Sequence, residues 1–126
     1  GIPRLFPHKD SKLIDEDEVE KNGMEIIRID LTQGITPEKA ASIFKNEIQK
    51  NKKYLVLYSY KNETTYNEYL SILDEFYQVI FAKRNKLAQE KYNLGFDDLA
   101  KAQQKEIRKV YPQALTEKNV DYQPEN

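Results

Sequence analysis

Tyr54-Leu55-Val56-Leu57-Tyr58-Ser59-Tyr60 is the stretch that decides the fold. From Tyr54 through Tyr58 every side chain is apolar or aromatic, so an extended chain here can leave neither face in water. Such a strand belongs inside a sheet. Upstream, Met24–Leu31 alternates Ile27, Ile29 and Leu31 with Arg28 and Asp30, the period-two pattern of a half-buried strand. Between them, Thr36-Pro37-Glu38 signals a helix start: a side-chain oxygen at the N-cap, proline in the first turn and an acid where the helix dipole favours one. Ala40, Ile43, Phe44 and Ile48 give that helix one apolar stripe to about Lys50, and Asn51-Lys52-Lys53 ends it. Strand, helix and strand in this order form a βαβ unit, whose strands pair in parallel through a right-handed crossover.

Beyond the decisive strand, Lys61-Asn62-Glu63 turns the chain, and Thr65 with Glu68 is a capping box. The helix behind it runs to about residues 89–92, roughly 40 Å at 1.5 Å per residue. Tyr66, Tyr69, Leu70, Leu73, Tyr77, Ile80, Phe81, Leu87 and Ala88 keep helical spacing along it, and Ile72, Phe76 and Val79 widen the stripe. This length exceeds what two strands and a short helix can cover, so its C-terminal half needs another partner. Gly95 breaks the chain, and Asp97-Asp98 is expected to cap a further helix carrying Leu99, Gln103, Ile107 and Val110 until Pro112 stops it. The remainder, through Asn126, is polar and reads as a frayed tail.

The expected architecture is α+β: a small β-sheet with helices over 36–50 and 65–91 packed on one face, plus a helical C-terminal extension. Ile27, Ile29, Phe44, Leu55, Leu57, Leu70, Leu73 and Tyr77 are its expected core. Residues 23–91 form the domain core, and 92–126 the extension and tail. Residues 1–22 read as an extended linker, because Pro3 and Pro7 oppose regular structure and Asp15-Glu16-Asp17-Glu18 is a solvated acidic run. That run lacks the alternating oxygen ligands and glycine turn of a calcium loop.

Composition narrows the function classes. Hydrophobic residues make up 39% and charged residues 33%; soluble domains average nearer ~45–50% and ~25%, so the core is thin for 126 residues and one or both ends should lie outside it. Twenty basic against 21 acidic residues leave a net charge of −1, which invites neither nucleic acid nor an anionic membrane surface. Without cysteine there are no disulfides, thiolate nucleophiles or Cys-based zinc sites. No apolar run approaches the ~20 residues that span a bilayer, and no signal peptide is present. A start at Gly1-Ile2-Pro3, without Met, is expected of a piece cut from a longer chain.

No catalytic, metal-binding or cofactor-binding residue is expected, and no enzyme. His8 is the one histidine and has no second ligand nearby. The four glycines stand apart and form no phosphate cradle or nucleophile elbow. Asp74 with Asp98 could in principle form an acid/base pair, yet carboxylates on helix faces are normally solvated. The tyrosines Tyr54, Tyr58, Tyr60, Tyr66 and Tyr69 could stack sugars or bases, or could serve a small core.

Three stretches carry a resemblance: Thr64-Thr65-Tyr66-Asn67-Glu68-Tyr69, then Tyr92-Asn93-Leu94-Gly95-Phe96-Asp97-Asp98-Leu99 with Gln103-Gln104, then Ile107-Arg108-Lys109-Val110-Tyr111-Pro112 with Thr116-Glu117. Together they resemble the ExbD/TolR biopolymer-transport family in its Bacteroidetes-type form. Ile2-Pro3-Arg4-Leu5-Phe6-Pro7 is similar to that family's linker after the membrane helix. Between Gln33 and Tyr54 the chain is shorter than such relatives. The resemblance implies a single-pass inner-membrane subunit of a proton-driven motor with this domain in the periplasm. The implied membrane helix carries a proton-responsive Asp and works inside ExbB-like channel subunits. The domain would couple that motor to a TonB-like transducer or, in TolR-like members, to peptidoglycan. Partner contacts are expected at Ile2, Leu5, Phe6, Tyr58, Tyr60 and Tyr66, and the open sheet edges and long apolar helix favour a homodimer. Just upstream of Ile2, a span of about 20 apolar residues holding one Asp is expected.

Overall fold

The computed structural model describes residues 15–122. Along the chain come α1 (Glu16–Lys21), β1 (Glu25–Asp30), α2 (Pro37–Glu47), β2 (Tyr54–Tyr60), α3 (Tyr66–Tyr92), α4 (Lys101–Val110) and β3 (Leu115–Asn119). The fold is α+β. Its three strands lie in the order β1-β2-β3, both pairs parallel. Ile27 pairs with Val56 and Ile29 with Tyr58; on the other side Val56 pairs with Leu115 and Tyr58 with Glu117. Because the strands advance in one direction across the sheet, right-handed crossovers put both helical connections on the same face. There α2 and α3 pack on each other, with the Phe44 and Phe76 rings edge to face at 5.4 Å. Ile27, Ile29, Val56 and Tyr58 point into this layer and are at most 3% exposed.

Local signals set the helix ends. The Thr36 hydroxyl accepts from the Lys39 N–H at 3.2 Å, and Pro37 opens α2. At α3, the Thr65 hydroxyl accepts from the Glu68 N–H while the Glu68 carboxylate accepts from the Thr65 N–H, which completes the capping box. Asn93, at φ 58°, ends α3 in the left-handed conformation that asparagine tolerates.

The structure departs from the sequence reading in four places. Asp15–Lys21 is not linker. The Asp15 carboxylate accepts from the Glu18 N–H, and Glu16, Asp17 and Glu18 fill the first turn of α1, so the acidic run is a helix N-terminus stabilised by its dipole. An ion pair from Glu16 to Arg28 lays α1 beside β1. Residues 115–119 are not a frayed tail but β3, whose polar side chains hide it from pattern reading while its backbone satisfies the second edge of β2. The C-terminal stretch therefore completes the sheet rather than extending a finished 23–91 core. Asp97 and Asp98 sit in a short 3-10 turn; α4 starts at Lys101, where Gln103 accepts from the Ala100 N–H. Finally, of the expected core, Leu70 and Tyr77 are 39% and 38% exposed, and Leu55 is half-buried outside the core cluster.

The C-terminal half of α3 finds its partner in this same chain. Leu87 and Ala88 join Phe96, Leu99 and Ile107 in one continuous apolar cluster. Buried beside them is Arg84, 6% exposed, whose Nε donates to the Tyr111 carbonyl at 2.9 Å. Tyr111 caps the C-terminus of α4. The guanidinium thus meets the negative end of a helix dipole and lies over the Phe96 ring at 5.8 Å, which accounts for a buried cation. Arg84→Ala is expected to lower unfolding free energy by about 2–3 kcal/mol, through a charged hydrogen bond and the packed stem. Urea denaturation measures it; a loss below about 0.5 kcal/mol would contradict this role.

Candidate functional site

Tyr58 and Tyr60 end β2, and Tyr66 and Tyr69 fill the first turn of α3 directly after it, so strand and helix deliver four rings to one place. Tyr69 is the hub. Its ring meets Tyr58 edge to face at 5.3 Å and Tyr60 at 6.1 Å, and stacks on Tyr66 at 6.4 Å. The Tyr58 hydroxyl donates to the Tyr69 carbonyl at 2.5 Å, and the Tyr69 hydroxyl donates to the Glu117 carboxylate on β3. Of the expected partner contacts, Tyr58 is fully buried, Tyr60 is 4% exposed and Tyr66 is 39% exposed. Ile2, Leu5 and Phe6 lie outside the described residues. Tyr58 and Tyr60 are used inside the domain: the cluster docks α3 onto β2 and β3, and of its four rings only that of Tyr66 offers a face to solvent.

Burial pushes the Tyr54 hydroxyl far up, offset in part by Arg84. Burial, then the Glu117 charge, does the same for Tyr58. At Tyr69 burial acts first and the bond to Glu117 adds to it. The folded chain therefore holds these protons above the ordinary tyrosine value of ~10, where the unfolded chain releases them. Their stabilisation is complete below pH ~10 and is lost as pH climbs from there toward the raised folded values. Alkaline titration followed by phenolate absorbance is expected to leave part of the nine tyrosines un-ionised until the chain unfolds. Smooth ionisation of all nine around pH ~10, with the fold intact, would contradict it.

The other face of α3 is open to solvent. Tyr66, Leu70, Leu73, Tyr77 and Phe81 follow one another at steps of four, three, four and four residues, so they align on one side of the helix. Phe81 is 54% exposed and Leu73 half-buried. A groove of about 400 Å³ runs among Leu70, Ser71, Leu73, Asp74 and Tyr77. At its rim the Gln78 side-chain amide donates to the Asp74 carboxylate at 2.7 Å. Tyr69, Ile72, Phe76, Val79, Ile80 and Leu87 make up the buried side. The sequence reading merged the two arcs into one wide stripe; the signal that separates them is the angular width, since a helix on a single layer buries only one arc.

Asp74 and Asp98 are not brought together. Asp98 lies by Gly95 and Asn85, and Asn85 is eleven residues along α3 from Asp74, or about 16 Å at 1.5 Å per residue. Among the described residues no group of three or more His, Asp or Glu is placed to hold a metal ion, and no helix is long and apolar enough to cross a membrane. Compared with protein-family models, curated proteins and solved structures, the chain matches none.

The two arcs of α3 should respond differently to substitution. Phe76→Ala is expected to cost about 3–5 kcal/mol. Leu70→Lys with Tyr77→Lys is expected to stay within about 1 kcal/mol of the parent, as exposed positions do. Urea melts of both proteins make the comparison.

Proposed function

We propose that this domain is a non-enzymatic coupling module of the ExbD/TolR kind, transmitting force from a proton-driven membrane motor to an envelope partner such as a TonB-like transducer. The observation that carries the reading is the exposed apolar face of α3. A domain that uses residues up to Ile80 and Leu87 for its core keeps a second row of Tyr66, Leu70, Tyr77 and Phe81 in water. Contiguous exposed apolar patches of a few hundred Å² commonly mark contact with another macromolecule. The resemblance at residues 64–69, 92–104 and 107–117 supports the family, and ExbB-like channel subunits, an inner-membrane anchor and a periplasmic location belong to the same proposal.

The row is self-complementary. Set antiparallel against a second copy about Leu73 and Asp74, Tyr66 falls opposite Phe81 and Leu70 opposite Tyr77, as a two-fold contact requires. A homodimer through α3 is therefore part of the proposal. The glycan-binding alternative draws less support, because it uses the faces of Tyr58 and Tyr60, and both are buried.

Two measurements test this. Sedimentation of the domain is expected to show concentration-dependent dimers that Tyr77→Lys with Phe81→Lys abolishes; a strict monomer at millimolar concentration would remove the dimer. In the cell, replacing the single Asp of the membrane span expected upstream of Ile2 by Asn is expected to abolish energised uptake and leave this domain folded. A gene whose upstream segment holds no intramembrane carboxylate would remove the motor reading.

A further inference from the structure

A second feature lies at the opposite end of the sheet from the tyrosine cluster. There the starts of the three strands border an open cavity of about 640 Å³. Its floor is apolar: Met24, Tyr54, Val110, Pro112 and Ala114. Lys50, Lys52 and Lys53 from the α2–β2 loop and Lys109 of α4 complete the lining. In a chain of net charge −1, four lysines around one cavity are a local excess.

Helix dipoles explain little of it. Lys109 lies in the last turn of α4, where a cation is favoured. The other three follow Glu47, the last residue of α2, by three residues or more, and the dipole's influence falls off within the last turn. Lys52 is held by Glu25 at 3.3 Å; among the described residues no ion pair holds Lys50, Lys53 or Lys109. The floor is stiff. The Tyr54 hydroxyl donates to the Pro112 carbonyl at 2.7 Å, Arg84 fixes the Tyr111 carbonyl, and the Val56 N–H holds the Ala114 carbonyl at 2.9 Å. Met24, 37% exposed, lies open at its edge.

We propose that this cavity binds an acidic peptide segment of a partner protein, seating one apolar side chain on Met24, Val110, Pro112 and Ala114 while flanking carboxylates meet Lys50, Lys53 and Lys109. Charge complementarity selects an acidic partner, and the apolar floor selects against a bare anion. Cations from two separate elements, the α2–β2 loop and α4, suit carboxylates spaced along an extended chain better than a single headgroup. The inference goes beyond the motor reading and does not depend on it, since it rests on the other end of the molecule from the α3 row.

The test uses the whole 126-residue chain and a fluorescent peptide, Glu-Asp-Phe-Asp-Glu, followed by anisotropy at low ionic strength. Binding is expected, with NMR shift changes at the Met24, Val110 and Ala114 methyls. Lys50→Glu with Lys109→Glu should weaken it at least ~10-fold, whereas Lys21→Glu with Lys101→Glu should leave it unchanged. All four lysines substituted here are exposed, and an unchanged thermal melt shows that the variants fold. Lys50→Gln with Lys109→Gln, which cannot introduce repulsion, should weaken binding by an intermediate factor. Absence of binding overturns the proposal, and so does equal affinity for Gln-Asn-Phe-Asn-Gln. Shifts at these methyls produced by decanoate or by phosphatidylglycerol vesicles, but not by the peptide, overturn it in favour of an anionic amphiphile.

Discussion

The structure depends on one constraint, that β2 must be enclosed on all sides. A seven-residue strand with Tyr54, Val56, Leu57, Tyr58 and Tyr60 all below 5% exposure needs a cover on each face and a hydrogen-bonded neighbour on each edge. β1 fills one edge through the α2 crossover. The other edge takes a strand from the far end of the chain, 55 or more residues away by sequence number, once α3 and α4 have spanned the layer. Order in the C-terminal third follows from an unsatisfied edge at the centre.

That third strand is polar, and polar edge strands need an anchor. Glu117 turns toward the helices at the register of Tyr58 and accepts the Tyr69 hydroxyl. An inward charge on an edge strand also discourages a further strand from adding in register. At the far end of the layer, Lys91 and Tyr92 of α3 both donate to Glu106 of α4. The Lys91 bond, then that of Tyr92, holds the Glu106 carboxyl below the usual glutamate range. Such a group supports the fold above the ordinary glutamate value and ceases to as pH falls through its lowered one. The Lys91–Glu106 pair is about half exposed, so it orients α4 more than it stabilises the whole.

Much of this was readable without coordinates. The run 54–60, the alternation at 27–31 and the capping signals at Thr36 and Thr65 each rest on short-range stereochemistry, and each element formed where that chemistry placed it. β3 was not readable, because Leu115-Thr116-Glu117-Lys118-Asn119 has no hydrophobic alternation and owes its strand state to β2. α1 was missed because an acidic run reads equally as solvated chain or as a helix N-terminus; the Glu16 to Arg28 ion pair is a tertiary contact that favours the second. The site residues fared worse, since the features that made Tyr58 and Tyr60 conspicuous in the sequence are the ones that bury them.

The long helix explains why burial and binding were confused. Its apolar residues cover more of the helix circumference than a single sheet layer can take, and hydrophobic spacing alone does not say which arc faces inward. Tertiary packing decides it: Phe76 meets Phe44 of α2, Tyr69 meets Tyr58 of β2, and Ile72, Val79 and Ile80 lie buried on the same side, which leaves Leu70, Tyr77 and Phe81 outside. The exposed row is thus fixed by the core that rejects it. One arc of α3 is anchored along the domain while Leu70, Tyr77 and Phe81 on the other arc stay in water.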